Sequence, residues 1–220
     1  MTIPHDKPLN GLSSWLYIAS LEIRRVTTSR DQAGVKQGWG PASKLNSNNG
    51  LPHYATPLRF DSCRLASPVL LTEFLTPERV LIPLAARDKA GAIAELIHHL
   101  TDHSGGAFDE VLGAVEEREA VQSTGIGFGV AIPHARSTAV RELTVVCGVS
   151  ATPVPYDSID GDPVRLFFLI VGPESSAGQH VKVLSRIARL VRREDFRQRL
   201  CASTTAQEFC TVVAEAETRV

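Results

Sequence analysis

Residues Val164-Arg165-Leu166-Phe167-Phe168-Leu169-Ile170-Val171 carry one polar side chain between two turn signals, Asp160-Gly161-Asp162-Pro163 before and Gly172-Pro173 after. The run is short for a helix, and its β-branched and aromatic residues suit a pleated strand. Successive side chains of a strand point to opposite faces, so a run that is apolar at nearly every position needs cover on both sides. It is expected to lie at the centre of a sheet.

Other elements arrange themselves around it. Val80-Leu81-Ile82-Pro83-Leu84 reads as a first strand. Asp88 caps a helix with Ala90, Ile93, Ala94, Ile97 and Leu100 at helical spacing, and Ser104-Gly105-Gly106 ends it. A second helix, Phe108 to Arg118, has Val111, Leu112 and Val115 as its stripe. Beyond Gly172-Pro173 a longer helix is expected to bury Val181, Leu184, Ile187, Ala188 and Val191 and to expose a basic stripe of Lys182, Arg186, Arg189 and Arg193. Basic and aromatic residues do not interleave there, which argues against nucleic acid as a partner. Two short helices follow, near 195–200 and 206–214. Strands at 79–84, 129–133, 142–150 and 164–171 alternating with helices argue α/β layers around one sheet. The strands ending at 133 and beginning at 142 are close enough to pair antiparallel, so the sheet should be mixed.

Residues 1–70 differ in character. They carry 8 Lys/Arg and 4 Asp/Glu, a net of +4, against 15 and 20, a net of −5, in residues 71–220; the sum is the chain's −1. Gln37 to Gly50 is rich in Gly, Asn and Ser, without helical or strand period. The expectation is a poorly ordered extension over 1–70 and one folded domain over 71–220. The chain start lacks the pattern of a signal peptide, and no run of 18 apolar residues exists to span a membrane. Four cysteines at irregular spacing form neither a zinc signature nor a disulfide framework, which fits a reducing cytoplasm.

The chemistry concentrates between Arg118 and Arg136. Ser123-Thr124 precede Gly125, Gly127 and Gly129, an apolar strand follows, and His134 stands directly behind Pro133. Glycines let a backbone approach a ligand, and successive free N–H groups favour an anion. Proline restricts its neighbours, so His134 leaves the strand in a limited direction. The glycines precede a strand, so this is not the dinucleotide fingerprint; no Gly-Lys-Ser/Thr follows, so it is not a P-loop. Glu95, His99 and His103 fall four apart on the first helix but read as a solvated face, and the acidic residues of 157–162 lack the calcium-loop pattern. No metal and no cofactor is called for.

The stretch from Arg118 to Arg136 resembles the active-site signature of enzyme IIA domains of the fructose/mannitol type in the bacterial sugar phosphotransferase system, a signature shared by the nitrogen-regulatory enzyme IIA proteins. Arg118 lies 16 residues before His134, and His180, in Gly178-Gln179-His180-Val181-Lys182-Val183-Leu184, lies 46 residues after it. These positions match the family's arginine, phosphoryl-accepting histidine and second histidine. The similarity covers roughly residues 73 to 220. It implies a three-layer α/β/α fold with a mixed sheet of about four to five strands and helices on both sides. Phe128 departs from the family, which often has a polar residue there, and bears on access to His134.

The resemblance implies that His134 accepts a phosphoryl group from the phosphohistidine of the carrier protein HPr or a paralogue. Phosphoryl transfer asks a protein chiefly for positioning and charge stabilisation. A neutral imidazole supplies the lone pair. Arg118 offers a planar fork of donors, and Ser123, Thr124 and the N–H groups around Gly127 and Gly129 are expected to complete the phosphate shell. His180 is expected to orient the His134 ring or a phosphate oxygen, and Glu119 to fix Arg118 or a ring N–H. A nitrogen-type regulatory role, in which phosphorylation state switches binding to target proteins, is preferred on the stretch Tyr156 to Val164. The alternatives are a sugar-transport enzyme IIA that passes the group to a separate enzyme IIB, and a binding module that keeps the pocket without exchange. The protein itself is not expected to enter a membrane.

Overall fold

The computed structural model describes residues 69–218, so the expected extension over 1–70 lies outside the described residues except for its last two. In chain order the elements are β1 (Val80–Leu84), α1 (Lys89–Ser104), α2 (Phe108–Val121), β2 (Gly125–Gly127), β3 (Val130–Ala131), β4 (His134–Arg136), β5 (Thr144–Val154), β6 (Val164–Gly172), α3 (Ala177–Leu190), α4 (Glu194–Ala202) and α5 (Ala206–Thr218). Local chemistry sets the first helix as expected. The Asp88 carboxylate accepts the N–H of Gly91 at 2.8 Å, and Gly105 leaves the helix at φ 74°.

Strand β6 is central. The sheet runs β1-β5-β6-β3-β2, with β4 also on β6. β5 is antiparallel to β6, β3 and β4 are parallel to it, β1 is parallel to β5, and β2 is antiparallel to β3. Phe167, Leu169 and Val171 join one core with Ile93, Leu96 and Ile97 of α1 and Val111 and Val115 of α2. Leu166, Phe168 and Ile170 alternate with them and face the opposite layer, where the rings of Phe168 and Phe209 of α5 lie 6.3 Å apart. This is the expected three-layer α/β/α arrangement with a mixed sheet, with six strands in place of four to five.

Two expectations are corrected. The strands on either side of residues 137–143 do run in opposite directions, but they do not pair. β6 lies between them, taking His134 opposite Ile170 on one side and Val145 opposite Ile170 on the other. Insertion of the most apolar strand buries both of its edges as well as both of its faces. The second correction concerns α3, which buries His180, Val183, Arg186, Ile187 and Leu190. Val181, Leu184 and Ala188, assigned to the core, are only partly covered.

Arg186 leaves the expected solvated stripe because a carboxylate meets it inside. Its Nε–H donates to Glu217 of α5 at 2.9 Å. Glu217 also accepts the N–H groups of Leu71 at 2.7 Å and Thr72 at 3.0 Å and the Thr72 hydroxyl at 2.8 Å. Burial pushes the Glu217 carboxyl up, but the donors from Leu71, Arg186 and Thr72 outweigh it and hold the group below the usual carboxylate range. Its charge is thus a tie between α3, α5 and the turn Leu71–Glu73. Among the described residues, no helix is long and apolar enough to cross a membrane.

Candidate phosphoryl-acceptor site

Pro133 interrupts the hydrogen bonding of the strand line without breaking its register. Ala131 stands opposite Phe167 and His134 opposite Ile170, the same offset on both sides of the proline. The Pro133 carbonyl accepts the N–H of Ile170 at 3.0 Å, while the N–H of Ile132 turns to the Thr124 carbonyl at 3.0 Å. His134 is therefore held in the sheet as the first residue of β4, rather than leaving the strand end, and it is 5% exposed.

Two contacts specify its tautomer. Nδ1 lies 2.8 Å from the carbonyl oxygen of Ile132, which can only accept, so Nδ1 carries the proton. On the other edge of the ring, the Nε–H of Arg118 donates to Nε2 at 3.2 Å. Nε2 is thus the acceptor nitrogen, with its lone pair facing a guanidinium. Arg118 sits one turn before the end of α2, and its NH1 group donates to the Gln122 carbonyl at 3.1 Å. His180 arrives from the first turn of α3, 5% exposed, with its ring edge-on to His134 at a centroid distance of 5.7 Å. Arg118, His134 and His180 thus converge from three separate elements.

Burial, then the Arg118 charge, lowers the His134 pKa from 6.5 to about 4, against the opposing pull of the Ile132 carbonyl; Arg136 adds to the lowering. The imidazole is neutral at every pH near 7. Because the folded-state pKa is the lower one, the unfolded chain binds the extra proton between about 4 and 6.5, and stability falls as pH drops through that window. The expected result is a His134 ring that keeps its neutral form on titration from pH 8 to 5. Ring ¹⁵N chemical shifts check this; a midpoint near 6.5 would show that the burial and the arginine do not act on the ring.

The side chains of the remaining anticipated residues bond to other partners. The Ser123 hydroxyl donates to the Tyr156 carbonyl at 3.0 Å, and the Thr124 hydroxyl pairs with the Tyr156 hydroxyl at 3.3 Å. Both tie the start of β2 to the loop 155–163. Gly127, Phe128 and Gly129 form the tip of the β2–β3 hairpin at φ 86°, 58° and 70°. A side chain at Gly127 would run into the Asp160 carboxylate, 2.8 Å from its Cβ position, and that carboxylate takes the N–H of Phe128 at 2.8 Å. The Gly129 carbonyl accepts from Leu166, four strand positions before Ile170, which is roughly 13 Å along the sheet. The structure does not bring this glycine tip to His134, and Phe128 does not stand over the ring. Phe128 instead exposes its own ring beneath the Arg197 guanidinium, 4.9 Å from the centroid.

Glu119 contacts neither Arg118 nor an imidazole in the way anticipated. Its two oxygens accept the N–H of Thr124 at 2.9 and 3.1 Å, and Lys89 Nζ pairs with it at 2.9 Å. Lys89 was not anticipated. The available signal is a cation in the first turn of a helix, where the macrodipole favours an anion. Glu95, His99 and His103 find separate partners, the N–H groups of Ala85 and Ala86, the Glu78 carbonyl and the His99 carbonyl. Among the described residues, no group of three or more His, Cys, Asp or Glu side chains is placed to hold a metal.

The chain is 34% identical over 144 residues to a nitrogen regulatory protein of Bradyrhizobium diazoefficiens, covering 66% of this chain and 94% of that one. It is 36% identical over 130 residues to the fructose-specific EIIA component of the phosphotransferase system of Haloferax volcanii, covering 58% and 83%. The crystal structure of nitrogen regulatory protein IIA-Ntr from Neisseria meningitidis superposes with a TM-score of 0.61 at 30% identity, over 64% of this chain and 97% of that one. Residues 73–216 match the family model for the phosphoenolpyruvate-dependent sugar phosphotransferase system, EIIA 2, and the chain belongs to that family.

Proposed function

We propose that His134 accepts a phosphoryl group on Nε2 from the phosphohistidine of an HPr-type carrier, and that residues 71–220 form the phosphoryl-carrier domain. The observation that carries this is the fixed tautomer, with Nδ1–H on Ile132 and Nε2 facing Arg118 at 3.2 Å. The Nε2 lone pair attacks phosphorus, a new P–N bond forms, and the donor's P–N bond breaks with its electron pair returning to the donor imidazole. The proton on Nδ1 stays in place, and the Ile132 carbonyl stabilises the positive charge that develops on the ring. Arg118 then exchanges its bond to Nε2 for bonds to the arriving oxygens, a planar fork against a near-dianion. His180 packs against the ring edge and limits its rotation. Ser123 and Thr124 shape the wall of the site through Tyr156, while Gly127 and Gly129 form the hairpin that carries β3. A cytoplasmic location goes with an HPr-type donor.

The 34% and 30% identity to two nitrogen regulatory relatives supports a regulatory role in which phosphorylation alters binding to target proteins. The 36% identity to a fructose-specific EIIA component supports the second reading, transfer onward to an enzyme IIB. A module without exchange would not need a lone pair held toward a cation.

Incubation with enzyme I, an HPr-type carrier and phosphoenolpyruvate tests the proposal. The protein should gain the mass of one phosphoryl group, and the label should be lost in mild acid and survive alkali. Added enzyme IIB should discharge it only on the transport reading. No label, or an acid-stable one, overturns the assignment.

A further inference from the structure

The turn that presents Arg118 is held by a charge pair that the phosphoryl chemistry itself does not touch. Residues 118–124 leave α2 through Gln122, whose backbone is extended at φ −167°. The Arg118 NH1 group donates to the Gln122 carbonyl at 3.1 Å, so where the fork points depends on how this turn is held. Here Glu119, 8% exposed, closes the turn by binding the N–H of Thr124 with both carboxylate oxygens. Lys89 answers the charge at 2.9 Å. Its ammonium lies 5.1 Å from the Tyr156 ring centroid, and it reaches Ser123 Oγ and Asp157, each at 3.4 Å. One carboxylate thus joins the start of α1, the end of α2 and the start of β2, next to the residue whose Nε–H meets His134.

We infer that Glu119, with Lys89 behind it, is a positioning residue that sets Arg118 against Nε2 of His134. The inference rests on the acceptor role proposed for His134. A buried carboxylate is held only while its partner remains, so either half of the pair controls the turn. Misplacement of a catalytic group by about 1 Å can cost on the order of 10²-fold in rate. Glu119 and Lys89 would exert that effect entirely through Arg118, without contact with the phosphoryl group.

The full chain and the variants Glu119→Gln, Lys89→Met and Lys89→Arg, each also made in an Arg118→Ala background, test this. Phosphoryl acceptance from the carrier should fall about 10–10²-fold in Glu119→Gln and Lys89→Met, with KM for the carrier unchanged, and be largely restored in Lys89→Arg. In the Arg118→Ala background the same substitutions should cause no further loss, because residues that act through one group are not additive. Equal losses in both backgrounds would show general damage and overturn the inference, as would unchanged exchange in Glu119→Gln. A readout without phosphate separates its failure from that of the acceptor role. The Nε–H resonance of Arg118, protected in the parent protein by His134, should exchange with solvent in Glu119→Gln and in Lys89→Met. A protected resonance in both variants overturns the positioning role whatever the exchange rates do. Failure of the acceptor role shows in the parent protein alone, as absence of label.

Discussion

Replacement of His134 by alanine is expected to abolish phosphoryl acceptance while leaving a folded protein. The substitution removes the Nε2 lone pair, and no neighbour supplies another in the same place. His180 is a separate ring, edge-on with its centroid 5.7 Å from that of His134. What the fold loses is two hydrogen bonds, to the Ile132 carbonyl at 2.8 Å and from the Arg118 Nε–H at 3.2 Å, and a small buried volume, a cost of about 1–3 kcal/mol. Mass spectrometry after incubation with enzyme I, an HPr-type carrier and phosphoenolpyruvate reads the first effect, and thermal melting reads the second. Label that persists at the parent level in a variant that melts normally would move the chemistry to another residue.

Arg118→Ala should retain acceptance but slow it by on the order of 10²–10³, the usual effect of removing one preorganised donor from a developing charge. The guanidinium also contributes to holding the His134 pKa at about 4, so its loss should raise that pKa toward 6.5. The two consequences oppose each other below neutrality. A more basic imidazole is a better nucleophile when neutral, but less of it is neutral as pH falls. The variant should therefore lose activity on acidification at a higher pH than the parent. Rates measured from pH 8 to 5 distinguish this from a simple loss of carrier binding, which would raise KM and leave the profile unmoved.

The sheet was legible in the chain wherever burial was one-sided in its demands. Val164–Gly172 is central because seven apolar side chains leave no solvent face, and composition alone says so. β2 and β4 were hidden, since strands of three residues rich in glycine or set directly behind a proline carry no period. The pairing of β4 with β6 could not be read from spacing, because proximity in sequence predicts direction better than adjacency. Arg186 looked solvated until its partner appeared 31 residues later. At the site, His134, Arg118 and His180 were found through resemblance to a family signature. The Lys89–Glu119 pair was not, since it depends on where two helix ends meet. The glycine pattern, read as phosphate-friendly, forms a hairpin turn in which the Phe128 N–H is taken by Asp160.

The Glu217 tie has a consequence for how the chain is made. Leu71, whose N–H it holds, precedes it by 146 residues. At ribosomal speeds of about 5–20 residues per second, that separation is roughly 7–30 s of synthesis. Throughout that interval Arg186, once made, waits for its counter-charge, and the opening turn has only water for its N–H groups. A nascent chain can assemble β6 on its neighbours early, but the layer containing α3 cannot close before α5 leaves the exit tunnel. A message cut short a few codons before Glu217 would yield a domain with Arg118, His134 and His180 all present and a buried arginine left uncompensated, a natural substrate for proteolysis rather than a slightly shorter working protein.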